Sequence, residues 1–249
     1  MSEVHGAGEL PPESAGTGQS SQLSRVLRTF TEPAAVFREL AQKPSWVVAL
    51  LVLVGASIVV QAVIVPRLDM EATIRQTLQE RQHGTVNEQE VEKAARTAGR
   101  VGKITMLLSP LLVPVAFLLV AGVYSLGLRV LGSETPYVAV YSTCLHAALP
   151  ASVVSNLLLA VIALQRDSFA AQELESLLKS NLAAWLPPDT AKPLLALAGA
   201  LDVFTVWQWV LLVLGLEIVG RVSRGKAVAL VAVVWGGWIG IKVLAAAVS

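Results

Sequence analysis

The stretch from Trp46 to Val65, WVVALLVLVGASIVVQAVIV, contains neither a charged residue nor a proline. Crossing the hydrocarbon core of a bilayer takes about 20 predominantly apolar residues in a helix. This stretch meets that requirement, and in a soluble protein it would have to be buried on every side. Four further segments have the same character: Ile104 to Leu131, Tyr137 to Leu164, Pro193 to Gly220 and Ala227 to Val248. The expected fold class is therefore all-α, a polytopic membrane protein with five transmembrane helices and additional amphipathic interfacial helices.

Composition agrees. The 249 residues are 54% hydrophobic and only 15% charged, with a mean hydropathy of +0.63, whereas soluble domains are about 25% charged. The net charge of +1 and the absence of a Lys/Arg-rich run speak against nucleic acid as a partner. The lone Cys144 lies inside an apolar segment, which excludes an intrachain disulfide and reads as a small core residue. The first apolar run follows 45 residues of mostly polar sequence and lacks a small-residue cleavage site, so a cleaved signal peptide is not expected.

Three regions are expected. Residues 1 to 21 are rich in Gly, Ser, Glu and Pro and read as a disordered tail. Residues 22 to 45 read as two short cytoplasmic interfacial helices. The first carries Leu23, Val26, Leu27 and Phe30 at helical spacing, and the second has Thr31 as N-cap, Pro33 in its first turn, Phe37 and Leu40 on one face and a stop at Pro44. Residues 46 to 248 form the five-span domain. Within it, Pro66 to Lys103 is charged in both signs and reads as two solvated helices separated at Gly84, the second opened by Asn87 with Glu90 or Thr85 with Glu88. Leu174, Leu178, Leu182 and Trp185 mark a further amphipathic helix that ends at Pro187 and Pro188.

Five spans place the amino terminus and the turns Gly132 to Pro136 and Arg221 to Lys226 on one side. Arg25, Arg28, Arg38, Lys43, Arg221, Arg224 and Lys226 lie there, the last three packed into one short turn. By the excess of Lys and Arg in short cytoplasmic loops, the amino terminus is expected in the cytoplasm and the carboxyl terminus in the periplasm or outside.

Ionisable residues within spans are costly and need partners. Asp202 and Lys242 fall at similar depth in the hairpin of the last two spans, about 4.5 Å apart at 1.5 Å per residue. They read either as an ion pair fixing the register or as groups lining a solute path. Glu217 is expected to pair with Arg221 at i,i+4. Ser142, His146 and Asn156 fall on one arc of the third span, a stripe expected to hydrogen-bond across helices. Pro110, Pro114 and Pro150 should bend their helices and release backbone groups. Gly236 and Gly240 form a GxxxG spacing for close packing within the chain or for a homo-oligomer.

No HExxH, GxSxG or GxxxxGK[ST] occurs, and His5, His83 and His146 are scattered, so no catalytic residue, metal or cofactor is expected.

Thr31, Glu32, Pro33, Phe37 and Pro44 resemble the segment before the first span in the Yip domain family of Ypt/Rab-GTPase-interacting membrane proteins. Asp202, Val203, Phe204, Thr205, Val206 and Trp207, then Gly215, then Ser223, Arg224, Gly225, Lys226 and Ala227 leading to Trp235, resemble its fourth and fifth spans. The resemblance covers roughly residues 30 to 248. It implies five spans and a cytoplasmic amino terminus. Eukaryotic relatives are implicated in vesicle trafficking through Rab-type GTPases, but their Tyr-Gly-Pro motif before the first span is absent here, which speaks against Rab binding. The Ala-, Val- and Leu-rich composition looks more like bacterial relatives, which implies a bacterial inner membrane. The expected role is a non-enzymatic membrane scaffold or adaptor with a membrane or cytoplasmic protein partner. The alternative is a conduit or carrier for a small solute or ion.

Overall fold

The structure is a computed structural model that describes residues 21–74, 77, 88–187 and 189–248. The tail at 1–20, Gly84, Thr85, Asn87 and Pro188 lie outside the described residues, as do the readings that rest on them. Five helices are long and apolar enough to cross a membrane: Val47–Arg67, Val101–Val130, Tyr137–Leu164, Val203–Gly220 and Arg224–Ala247. The chain is a multi-pass membrane protein.

The helices are α1 (Gln22–Arg28), α2 (Pro33–Gln42), α3 (Val47–Ile64), α4 (Glu88–Leu108), α5 (Val113–Val130), α6 (Tyr137–Leu164), α7 (Lys192–Ala200), α8 (Val203–Gly220) and α9 (Arg224–Val248). The centre of the bundle is α6, whose residues from Ala139 to Ala151 are all buried. It packs against α3, α8 and α5, while α9 lies outside against α8 and α7. Three glycines allow close approach. A Cβ on Gly215 of α8 would stand 2.5 Å from Thr143 Cγ2 and 3.0 Å from Phe37 Cε1, and one on Gly220 would stand 2.7 Å from Leu128 Cδ2. Gly127 of α5 is met by the Leu230 side chain of α9. Close packing matters because lipid tails are as apolar as the spans, which leaves van der Waals fit to hold helices together.

The helix α2 differs from its expected placement. Pro33 opens it after Glu32 rather than Thr31, because the ring pre-sets the first helical turn. Its apolar face does not lie in the lipid interface: Val36, Phe37 and Leu40 are fully buried against α8 and α6. By contrast α1 buries Val26 and leaves Leu23 and Leu27 exposed, as is Phe30 just beyond its end.

Two other expectations change. The apolar run Pro193 to Gly220 is not one span, since α7 ends at Ala200 and α8 starts at Val203. The helix expected across Leu174 to Trp185 is broken into a single turn, Leu174–Leu177, and a 3-10 turn, Leu182–Trp185, with Lys179 in the left-handed region between them.

The prolines are accommodated in different ways. Pro150 sits inside a continuous α6. The second span instead tightens into a 3-10 turn at Ser109–Leu112, and Pro114 lies in the first turn of α5. Pro110 cannot donate to the Met106 carbonyl four residues back. The Ser109 hydroxyl takes that carbonyl at 2.8 Å and accepts from Gln61 Nε2 of α3 at 3.2 Å. At the opposite end, Ser133 and Thr135 hydroxyls donate to the Gly220 and Val219 carbonyls at 2.7 and 3.0 Å, satisfying the C-terminus of α8.

Replacing Ser109 by Ala strands the Met106 carbonyl and the Gln61 amide. We expect a loss of about 1–3 kcal/mol in thermal unfolding of the purified protein. The loss should shrink in a Pro110→Ala background, where a backbone N–H returns to the ladder.

Candidate functional site

One side chain builds the break before α8. Asp202 is its N-cap, with Oδ1 accepting from the N–H groups of Phe204 at 2.8 Å and Thr205 at 3.1 Å. Its Oδ2 accepts the hydroxyl of Ser180. Backbone bonds from Leu182 N to Leu201 O at 3.2 Å and from Val203 N to Ser180 O at 3.1 Å tie the two segments together. Asn181 then caps the next turn by accepting from Ala184 N at 3.1 Å. A carboxylate at a helix N-terminus meets unpaired amides and the favourable end of the helix dipole.

Asp202 and Lys242 line one cavity of ≈ 820 Å³, with Leu159, Leu178 and Leu195 among its apolar walls. A smaller recess of ≈ 220 Å³ shares Ser180 and Asp202 and adds Phe204. The Asp202–Lys242 ion pair is not formed: among the described residues no carboxylate lies within 4.0 Å of Lys242. The carboxylate is engaged by its own helix and by Ser180, and neither group sits deep in the membrane. Asp202 directly precedes the span, and Lys242 lies about 7.5 Å from its end at Ala247. At that depth its long stem can carry the ammonium to the interface.

The stripe Ser142, His146 and Asn156 does not bond across helices as expected. Ser142 Oγ donates to Val138 O at 2.7 Å, and His146 Nδ1–H donates to Ser142 O at 2.8 Å. Both side chains are buried, Asn156 is half-buried, and none of the three lines either recess. A β-hydroxyl on a helix reaches its own carbonyl one turn back, so Ser142 needs no neighbour for its proton.

The amino-terminal side carries a denser polar network. Arg25, only 5% exposed, donates Nε to Glu39 at 3.0 Å, and its Nη1 donates to Lys43 O at 3.0 Å and Ser45 Oγ at 3.1 Å. Arg28 bonds Glu39 at 2.6 Å and Glu32 at 3.0 Å; these carboxylates, Glu39 first, raise its pKa above the ordinary value. Together they clamp α1 to α2 and to the start of α3. The neighbouring turn has a different pair from the one expected. Glu217 bonds Arg224 at 3.0 Å, because Arg221 takes the left-handed C-cap conformation at φ 53° and is exposed.

Of the family-like residues, Pro33 and Pro44 bound α2, Phe37 enters the bundle, and Gly215 admits it. Trp207 packs on the core and Trp235 meets Trp209 edge-on at 3.9 Å. Arg224, Gly225 and Lys226 are exposed at the start of α9. Sequence reasoning missed Ser180, Asn181 and the Arg25–Glu39 pairing. The Asp202 cap had a legible signal, an Asp directly before an apolar run.

The cap predicts a graded response. Asp202→Asn keeps an acceptor and should cost little, while Asp202→Ala should cost about 1–2 kcal/mol in thermal unfolding. Lys242→Met, which breaks no ion pair, should leave stability within about 0.5 kcal/mol.

No curated protein and no solved structure matches the chain. The family model of the Yip1 domain matches residues 27–246, from α1 through nearly all of α9. With the five candidate spans and the docked α2 in view, the chain belongs to the Yip1 domain family.

Proposed function

We propose that the protein is a non-enzymatic membrane scaffold or adaptor whose working surface is the α1–α2 hairpin with the Arg221 to Lys226 turn. One observation carries this reading. The hairpin is fixed on its inner side by buried Phe37 and Arg25, while its outer side presents Leu23, Leu27 and Phe30. A rigid surface with exposed apolar groups suits docking, because little order has to be gained on binding, and Arg221 shares a recess with Ala41 of α2. His146 and Cys144 are both buried in α6, and among the described residues no group of three or more His, Cys, Asp and Glu is placed to hold a metal.

The surrounding assignments belong to the same proposal. The cations of the amino-terminal side favour a cytoplasmic location for this surface, and the composition favours a bacterial inner membrane. Self-association through α9 is part of it as well. Added Cβ atoms on Gly236 and Gly240 meet nothing within 4 Å, so the GxxxG face is not used for packing inside the chain, contrary to one of its expected roles. The second reading, a conduit for a small solute, is favoured by the cavity at Asp202 and Lys242. Ser152 and Ser155 of α6 line the adjoining recess, but against a path across the membrane, Ser142, His146 and Asn156 line neither space.

Crosslinking and mass spectrometry of the full chain in its native membrane test the adaptor reading. It predicts a near-stoichiometric protein partner joined through residues 22–43 or 221–226, with any self-crosslinks confined to α9. Self-crosslinks alone, together with solute uptake that depends on Lys242, would replace it with the conduit.

A further inference from the structure

We infer that the cavity between α6, α7 and α9 is a binding site for a phospholipid whose headgroup carries both a phosphate and a primary ammonium. The cavity presents one carboxylate, Asp202, and one ammonium, Lys242, which face the same ≈ 820 Å³ without closing on each other. That size is within the range of sites that take small amphiphiles. Two opposite charges that line one cavity without pairing are complementary to a zwitterion. The phosphate bonds Lys242, and the ligand ammonium bonds the side of Asp202 left over by the Phe204 and Thr205 amides and by Ser180.

The walls specify a lipid rather than its free headgroup. Leu159, Leu178 and Leu195 line the space beyond the charges, and these apolar surfaces match acyl chain. Position agrees as well. Asp202 and Lys242 stand at the end of their spans opposite the amino terminus, the depth of headgroups in that leaflet. A purely anionic headgroup would place its charge beside Asp202 and leave that carboxylate opposed. A headgroup bearing only an ammonium would leave Lys242 unanswered.

Native mass spectrometry of the purified full chain, delipidated and then offered phosphatidylethanolamine or phosphatidylglycerol of equal chain length, tests the site. The expected result is retention of phosphatidylethanolamine about tenfold above phosphatidylglycerol, the scale of one charge-assisted contact. Lys242→Gln should weaken retention of both lipids. Asp202→Asn, which keeps the helix cap, should remove the preference between them. Ala196→Trp, which fills the cavity from α7, should expel lipid while the protein remains monodisperse. Equal retention of the two lipids by the unaltered chain, or retention indifferent to both Lys242→Gln and Ala196→Trp, overturns the inference. Displacement by soluble glycerophosphoethanolamine at equal concentration overturns the lipid as its source.

Discussion

The packing of Phe37 against Gly215 is the contact on which the rest of the arrangement depends. A span bundle has little hydrophobic force drawing its helices together, so shape decides which surfaces meet. Gly215 removes the side chain that would otherwise fill the space beside Thr143. An aromatic ring from outside the spans occupies it. This turns α2 from a helix floating at the interface into a part of the core, and the chain entering α3 is held in place by it. The Arg25 clamp follows from that placement, because Glu39, Lys43 and Ser45 converge on one guanidinium only when α2 is docked.

The two ends of the bundle handle charge in opposite ways. On the amino-terminal side the cations Arg25, Arg28 and Arg224 are closed by carboxylates, and the result is a stiff surface. On the far side Asp202 is held by backbone amides and Ser180, while Lys242 is left facing a cavity. A closed network suits a docking platform and an open one suits a ligand. The asymmetry joins the proposed partner surface and the proposed lipid site within one fold, at opposite faces of the membrane.

The spans were legible because bilayer thickness sets their length and lipid dictates their composition, so Trp46 to Val65 and Tyr137 to Leu164 can be read almost to the residue. Legibility failed where a local polar group outweighed apolar continuity. The run from Pro193 to Gly220 looks unbroken, yet the Asp202 carboxylate stabilises a helix start in its middle. It failed again where partners are distant in sequence. Nothing near Phe37 announces Gly215, and nothing near Ser180 announces Asp202. The Glu217 pairing was missed for a geometric reason: the left-handed backbone at Arg221 turns that side chain away and brings Arg224 round instead. Ser142 and His146 of the stripe on α6 are buried among neighbouring helices, yet each bonds a carbonyl of its own helix rather than reaching across.

A double-mutant cycle on Gly215 and Phe37, followed by thermal unfolding, tests the docked α2 most directly. Gly215→Ala alone should cost about 1–3 kcal/mol through overpacking, and the part of that cost due to the ring should disappear when Phe37 is already Ala, while the collision with Thr143 Cγ2, nearer at 2.5 Å, remains. Strictly additive losses from the two substitutions would mean that they do not share a contact, and the account of α2 as part of the bundle core would be wrong.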